Sequence, residues 1–284
     1  MKTNFHTHHE LCGHAIGTAK DYVEYAIKSG YDRIGLTDHG PIPRDAMSQD
    51  DYFGNYLHLQ MNESDFETIY LPDCLQAKQK FQHQIDVLIG LEIEYIPTHK
   101  SYLQSLADRL DYLILGVHYF PFQGHMHNVY EWMNSESVQT YGDHVQEALD
   151  SGLYRILAHP DIFLMKYHHD LEAIFDTAAI ETTHKIIQAA IKNNVYLEIN
   201  CGGAKREGLH YQNQTRYVYP REEFWRIVAT YPDAKVLIGV DAHAPAHLGN
   251  PVIEEMKHFA SLCGVTWVDN PMIQGRIRFQ GNEI

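Results

Sequence analysis

Seven short apolar runs, separated by longer stretches of helical period, constrain this chain more than any other feature of its sequence. The runs fall at residues 4–8, 33–37, 86–92, 112–117, 155–158, 195–200 and 236–240. Runs of that length read as buried strands, and helices placed between them force successive strands to lie parallel. The predicted helices are 18–29, 63–84, 102–109, 137–151, 173–193, 221–230 and 250–263. Thr18 followed three residues later by Asp21 has the form of a capping box, with Asp in place of Glu, and Gly30 stands where a C-terminal glycine cap belongs. The fold class expected from this pattern is α/β with a mainly parallel sheet.

Six of the seven runs end, within about a residue, on a side chain that can bind a metal. These are His6 and His8, then Asp38-His39, Glu92, His118, His159, and Asp241 with His243; the run 195–200 ends on Asn200-Cys201. In a β/α barrel the C-terminal ends of all strands meet on one face, so residues far apart in sequence become neighbours there. A single strand-end histidine is ordinarily structural or solvated. Recurrence at the same end of successive strands is not explained that way. His6 and His8, two apart, point to the same face of a strand and can both reach one ion. Imidazole with carboxylate suits zinc, manganese or iron, and the lack of thiolates leaves such a site open to water. Of the other histidines, His247 and the pair His125 and His127 follow active-face strands closely enough to remain candidates.

A chain of 284 residues with 44% hydrophobic content can bury a large core, and no Pro/Gly/Ser-rich linker divides it. Residues 1–284 are therefore expected to form one domain. The formal net charge of -15 argues against a nucleic-acid backbone as partner, since such binding rests on clustered Lys and Arg. A small-molecule substrate fits better. Four scattered cysteines form no CxxC pair, the N-terminus lacks an apolar targeting segment, and no run of about 18 apolar residues occurs. A cytoplasmic protein without membrane contact is expected. Residues 41–84 are too long for a βα loop, where about 2–6 residues is usual. Their stretch Asp50-Asp51-Tyr52-Phe53-Gly54, acidic and aromatic, suits a lid over the site.

These residues resemble the polymerase and histidinol phosphatase (PHP) superfamily. The motifs that carry the resemblance are His6-Thr7-His8, Thr37-Asp38-His39-Gly40, Glu92 in Gly90-Leu91-Glu92, His118, His159-Pro160-Asp161 and Asp241-Ala242-His243. The histidinol-phosphatase branch is closer still, through Cys12-Gly13-His14-Ala15, Thr37-Asp38-His39-Gly40-Pro41 and Gly90-Leu91-Glu92-Ile93-Glu94-Tyr95. Val240 before Asp241, and residues 202–206, depart from that branch's pattern.

The resemblance implies a distorted TIM-like (β/α)7 barrel with a metal cluster at the C-terminal face of its strands. It also implies three divalent ions: one on His6, His8, Glu92 and Asp241, a second on His14, His39 and His243, a third on Glu92, His118 and His159. Glu92 would bridge two of them, since a carboxylate has two oxygens to share. The implied activity is hydrolysis of histidinol phosphate to histidinol and phosphate, in histidine biosynthesis, by a metal-bridging hydroxide held by Glu92 and Asp241. From their positions after active-face strands, Lys166, Lys205 and Arg206 are candidates to hold the phosphate, and Asp161 or His247 to donate the proton. The competing readings are a nuclease or nucleotide 3'-phosphatase of the same superfamily, and a non-catalytic metal-binding module.

Overall fold

The computed structural model describes residues 1–55, 57–167, 175–206, 209–211, 214–275 and 277. Seven parallel strands pair in chain order: β1 (Thr3–Asn4), β2 (Arg33–Leu36), β3 (Asp86–Ile93), β4 (Tyr112–Leu115), β5 (Ile156–Leu157), β6 (Tyr196–Asn200) and β7 (Lys235–Gly239). The two edges then meet through a single parallel bridge, Thr7 to Ala242, with His8 N donating to Ala242 O at 2.8 Å. Closure by one bridge makes the barrel distorted and TIM-like. Each predicted strand is present, shortened at its C-terminal end in most cases. There the backbone leaves the sheet to present side chains instead of continuing the ladder.

The strand residues sort by parity, as a period of two requires. On β4, Ile114 points into the barrel, while Leu113 and Leu115 face the outer helices. Leu88, Tyr112, Ile156, Tyr196 and Leu237 fill the interior with it. Two residues further along β6 the inward position is Glu198, fully buried, and on the neighbouring β7 it is Gly239. The exchange is steric: a side chain at Gly239 would collide with Glu198 Oε1, and one at Gly116 would come within 2.5 Å of Glu92 Oε1. The apolar plug thus gives way, one layer up, to buried carboxylates seated against glycines.

The principal helices are α1 (Ala19–Lys28), α2 (Leu71–Phe81), α3 (Lys100–Arg109), α4 (Ser135–Asp150), α5 (Thr177–Lys192), α6 (Glu222–Val228) and α7 (Val252–Cys263). On α1 the capping box forms, with Asp21 N donating to Thr18 and Thr18 N to Asp21 Oδ2 at 2.9 Å, and Ala19, Tyr22, Val23 and Ala26 make its buried stripe. The first two residues of the predicted helix 173–193 lie outside the described residues. A π turn, Phe66–Tyr70, leads into α2 and brings the Tyr70 hydroxyl within 2.9 Å of Leu36 O, at the end of β2, and 2.8 Å of Gly90 O, within β3. Such wide turns recur at functional sites. The hairpin Tyr119–Phe122 with His125–Asn128 is not foreseen by the run pattern; it turns at Gln123 and Gly124, both at positive φ. A Gln-Gly pair carries a weaker turn signal than Asn-Gly. No helix among the described residues is long and apolar enough to cross a membrane.

Candidate metal centre

Past the ends of the strands, two buried groups of nitrogen and oxygen atoms converge. In the first, His6 Nε2 and His8 Nε2 lie 2.9 Å apart, with Asp241 Oδ1 3.1 Å from His8 Nε2 and Glu92 Oε2 3.4 Å from both rings. In the second, Glu92 Oε1 lies 3.1 Å from His159 Nε2 and 3.8 Å from His118 Nε2. The two oxygens of Glu92 therefore face different imidazole sets. His8, His39 and His243 make a further group with ligand atoms within 4.8 Å of one another. His14 stands beside that group and is exposed; its ring centroid is 5.3 Å from that of His39 and 4.9 Å from that of His243.

Behind the rings stand further carboxylates, of which Glu198 and Glu94 are not singled out by the strand-end pattern. Glu198 accepts from His6 Nδ1 at 2.9 and 3.0 Å, Glu94 accepts from His118 Nδ1 at 2.7 Å, and Asp38 Oδ1 lies 3.6 Å from His8 Nδ1. Glu198 also receives Asn200 Nδ2 at 2.7 Å. A carboxylate on one ring nitrogen fixes the tautomer and turns the bare nitrogen to the other side. The signal for Glu198 was available as a lone charge inside an apolar strand run, two residues from the strand end.

This arrangement fits a cation. With Nδ1–H given to Glu198, the neutral His6 ring presents a lone pair at Nε2, facing His8 and the carboxylates of Glu92 and Asp241. Burial lowers the affinity of His6 for a proton, yet Glu198, Glu92 and Asp241 outweigh burial and raise its pKa well above the usual value. His8 is likewise pushed up to about 9, burial being overcome by Asp241 and Asp38. Burial alone would raise Glu92, but His6, His118 and His39 hold its carboxyl well below the ordinary range. The polypeptide builds a pocket of negative charge lined with imidazoles, and divalent ions match it without any ring having to take a proton. Two of the residues also hold unusual backbone: His159 has φ 31° and Asp241 φ 50°. Strain of that kind persists where the surroundings demand a particular side-chain direction.

A cavity of about 430 Å³ opens over the centre. Lys205 and Arg206 line it together with the imidazoles; Lys205 Nζ donates to Val240 O at 3.1 Å, and the Arg206 guanidinium lies over the rings of Tyr130 at 5.4 Å and Tyr219 at 5.9 Å. His247 is there too, its Nδ1 accepting from His243 N at 3.2 Å. Two sequence candidates are elsewhere. Lys166 is half-buried and does not line the cavity. Asp161 is buried and does not line the cavity; its Oδ2 accepts from Arg221 N at 2.6 Å and Trp225 Nε1 at 3.1 Å, which anchors the start of α6. His125 and His127 border a separate groove with Asp50, Asp51 and Trp132, so the acidic stretch of the insertion also faces away from the centre.

The PHP domain model matches residues 4–202. The chain belongs to the PHP domain family. Asp241 and His243 lie beyond the matched stretch, and the fold brings them back to the centre through the Thr7–Ala242 bridge. Among relatives, a protein of Deinococcus radiodurans named "Probable histidinol-phosphatase" is 25% identical over 268 residues, covering 92% of this chain and 94% of its own length. A Schizosaccharomyces pombe protein of the same name is 26% identical over 282 residues, with 94% and 88% covered. Of solved structures, the histidinol phosphate phosphatase of Lactococcus lactis, complexed with zinc, L-histidinol and phosphate, superposes with a TM-score of 0.63 at 18% identity, covering 94% of this chain and 95% of that one. That likeness establishes the distorted barrel shared with this PHP domain.

Proposed function

We propose that the protein is a metal-dependent phosphomonoesterase that hydrolyses L-histidinol phosphate to L-histidinol and phosphate. The observation that carries the reading is the pairing, in one cavity, of the buried imidazole–carboxylate cluster with Lys205 and Arg206. A cluster alone would bind metal; a cluster that shares its cavity with two cations is built for an anion as well. Relatives named histidinol-phosphatase, matched along almost their whole length, supply the leaving group.

We assign three divalent ions, zinc, manganese or iron, to His6, His8, Glu92 and Asp241; to His14, His39 and His243; and to Glu92, His118 and His159. Bound there, the ions supply Lewis acidity, lowering the pKa of water and neutralising phosphoryl oxygens. Lys205 and Arg206 hold the phosphoryl oxygens. Tyr130 and Tyr219, against the guanidinium, hold the planar Arg206 fork in place, so little freedom is lost on binding. His247, whose Nδ1 accepts from His243 N, carries its hydrogen on Nε2 and can offer it as a hydrogen bond to the leaving-group oxygen.

The test is phosphate release from L-histidinol phosphate before and after chelation. Turnover that disappears with the metal and returns when zinc or manganese is restored supports the proposal. Turnover indifferent to chelation and to metal content refutes it.

A further inference from the structure

A second, smaller space of about 160 Å³ opens off the first. The two share His14, His39, Glu92, His118 and Tyr130 as a common wall, but they differ in charge. Lys205 and Arg206 line only the larger one. The smaller has no Lys or Arg among the described residues that line it, and carries Glu94 and the amide of Gln60 instead. A phosphomonoester has one anionic end and one organic end, so the two spaces match its two halves. At about 160 Å³ the smaller falls below the roughly 300–1,000 Å³ of pockets that take whole ligands. It suits part of a small molecule.

Its outer wall comes from the 41–84 insertion, through Ile42, Leu57 and Gln60. That wall is fixed on both sides. A side chain at Gly13, in the loop leading to His14, would come 2.7 Å from Leu59 O, and Gly13 sits at φ 79°. Across the space, the Tyr119 hydroxyl donates to Asn55 O at 3.3 Å and Asn128 Nδ2 to Asn55 Oδ1 at 3.2 Å. Leu57 is buried, while Gln60 is half-buried and its side-chain amide bonds to none of the described residues. An amide offers one acceptor and two donors, the complement of a neutral imidazole, which donates from one ring nitrogen and accepts at the other.

We propose that this smaller space is the leaving-group subsite: Gln60 pairs with the ring nitrogens of the alcohol, and Ile42 and Leu57 pack against the ring's faces. The inference rests on the histidinol-phosphate reading above and places the recognition of the ring at residues 57–60, not at Asp50 and Asp51.

The experiment measures binding of L-histidinol alone and of inorganic phosphate alone, by calorimetry, to the metal-loaded protein and to its Gln60→Leu and Ile42→Trp variants. Phosphate binding should be the same in all three, which also shows that the variants are folded. The Kd for L-histidinol should rise about tenfold in Gln60→Leu, the loss of a hydrogen-bonding partner, and at least as much in Ile42→Trp, where the space is filled. Parent protein that hydrolyses histidinol phosphate, alongside variants that bind L-histidinol as tightly as it does, overturns the inference alone. Parent protein that neither binds L-histidinol nor hydrolyses its phosphate removes the substrate reading, and this inference with it.

Discussion

Glu198 grips the Nδ1 of His6 with both carboxylate oxygens, at 2.9 and 3.0 Å, and both residues are fully buried. The pair shows how the centre is organised: a carboxylate on the far side of the ring sets which nitrogen is free. Glu198→Gln keeps the shape and removes the charge. Metal affinity, measured by competition with a chelator, should fall about 10–100-fold, the usual range for an outer partner of a ligating histidine. The melting temperature without metal should change little. Unaltered affinity would mean that Glu198 only fills space.

Gly116 gives Glu92 its place, because a side chain there would come within 2.5 Å of Oε1. Gly116→Ala should therefore displace the one carboxylate that faces both imidazole sets. The expected result is a lower metal-to-protein ratio by elemental analysis and a loss of kcat of at least about 10²-fold, a few kcal/mol of transition-state stabilisation. Full metal content with full activity would contradict the bridging role.

Arg206 lines the cavity and lies over the rings of Tyr130 and Tyr219. Arg206→Ala should raise KM for the phosphoester about 10–100-fold, the worth of one charge-assisted hydrogen bond, without loss of bound metal. An unchanged KM would dismiss it as a phosphate ligand.

His144, buried on α4 beside Tyr95, bears on stability. Burial pushes its pKa down to about 4. The unfolded chain takes up the proton near the ordinary value of about 6.5, before the native state does, so stability falls as pH drops from about 6.5 to about 4. The full effect is about 3 kcal/mol, and it is absent above about pH 7. In chemical denaturation of the chelated protein between pH 7 and 5, His144→Phe should lose less stability than the parent. Equal losses would show that His144 does not govern the acid limb.

Much of this was legible in the sequence, for a physical reason. A parallel strand buried on both faces leaves an unbroken apolar run, and the ligand at its end breaks the run, so His6, His39, Glu92, His118, His159 and Asp241 announce themselves. Glu198 is marked only by its lone charge within an otherwise apolar run, two residues short of the strand end, and its purpose depends on Gly239 leaving room next door. Asp161 misled in the opposite way: it follows His159 by two residues, yet the turn after β5 carries it inward to α6 instead of toward the cavity. The insertion defeated local reading altogether. Its acidic and aromatic stretch borders a separate groove, while Leu57 and Gln60, beside the docking of the insertion on Gly13 and Tyr119, line the space at the centre.

The most direct test compares kcat/KM for L-histidinol phosphate with that for a nucleoside 3',5'-bisphosphate, on one preparation whose metal content has been measured. The account predicts several metal ions per chain and a clear preference for L-histidinol phosphate, by orders of magnitude. Faster hydrolysis of the nucleoside bisphosphate, or bound metal with no turnover of either ester, would contradict it.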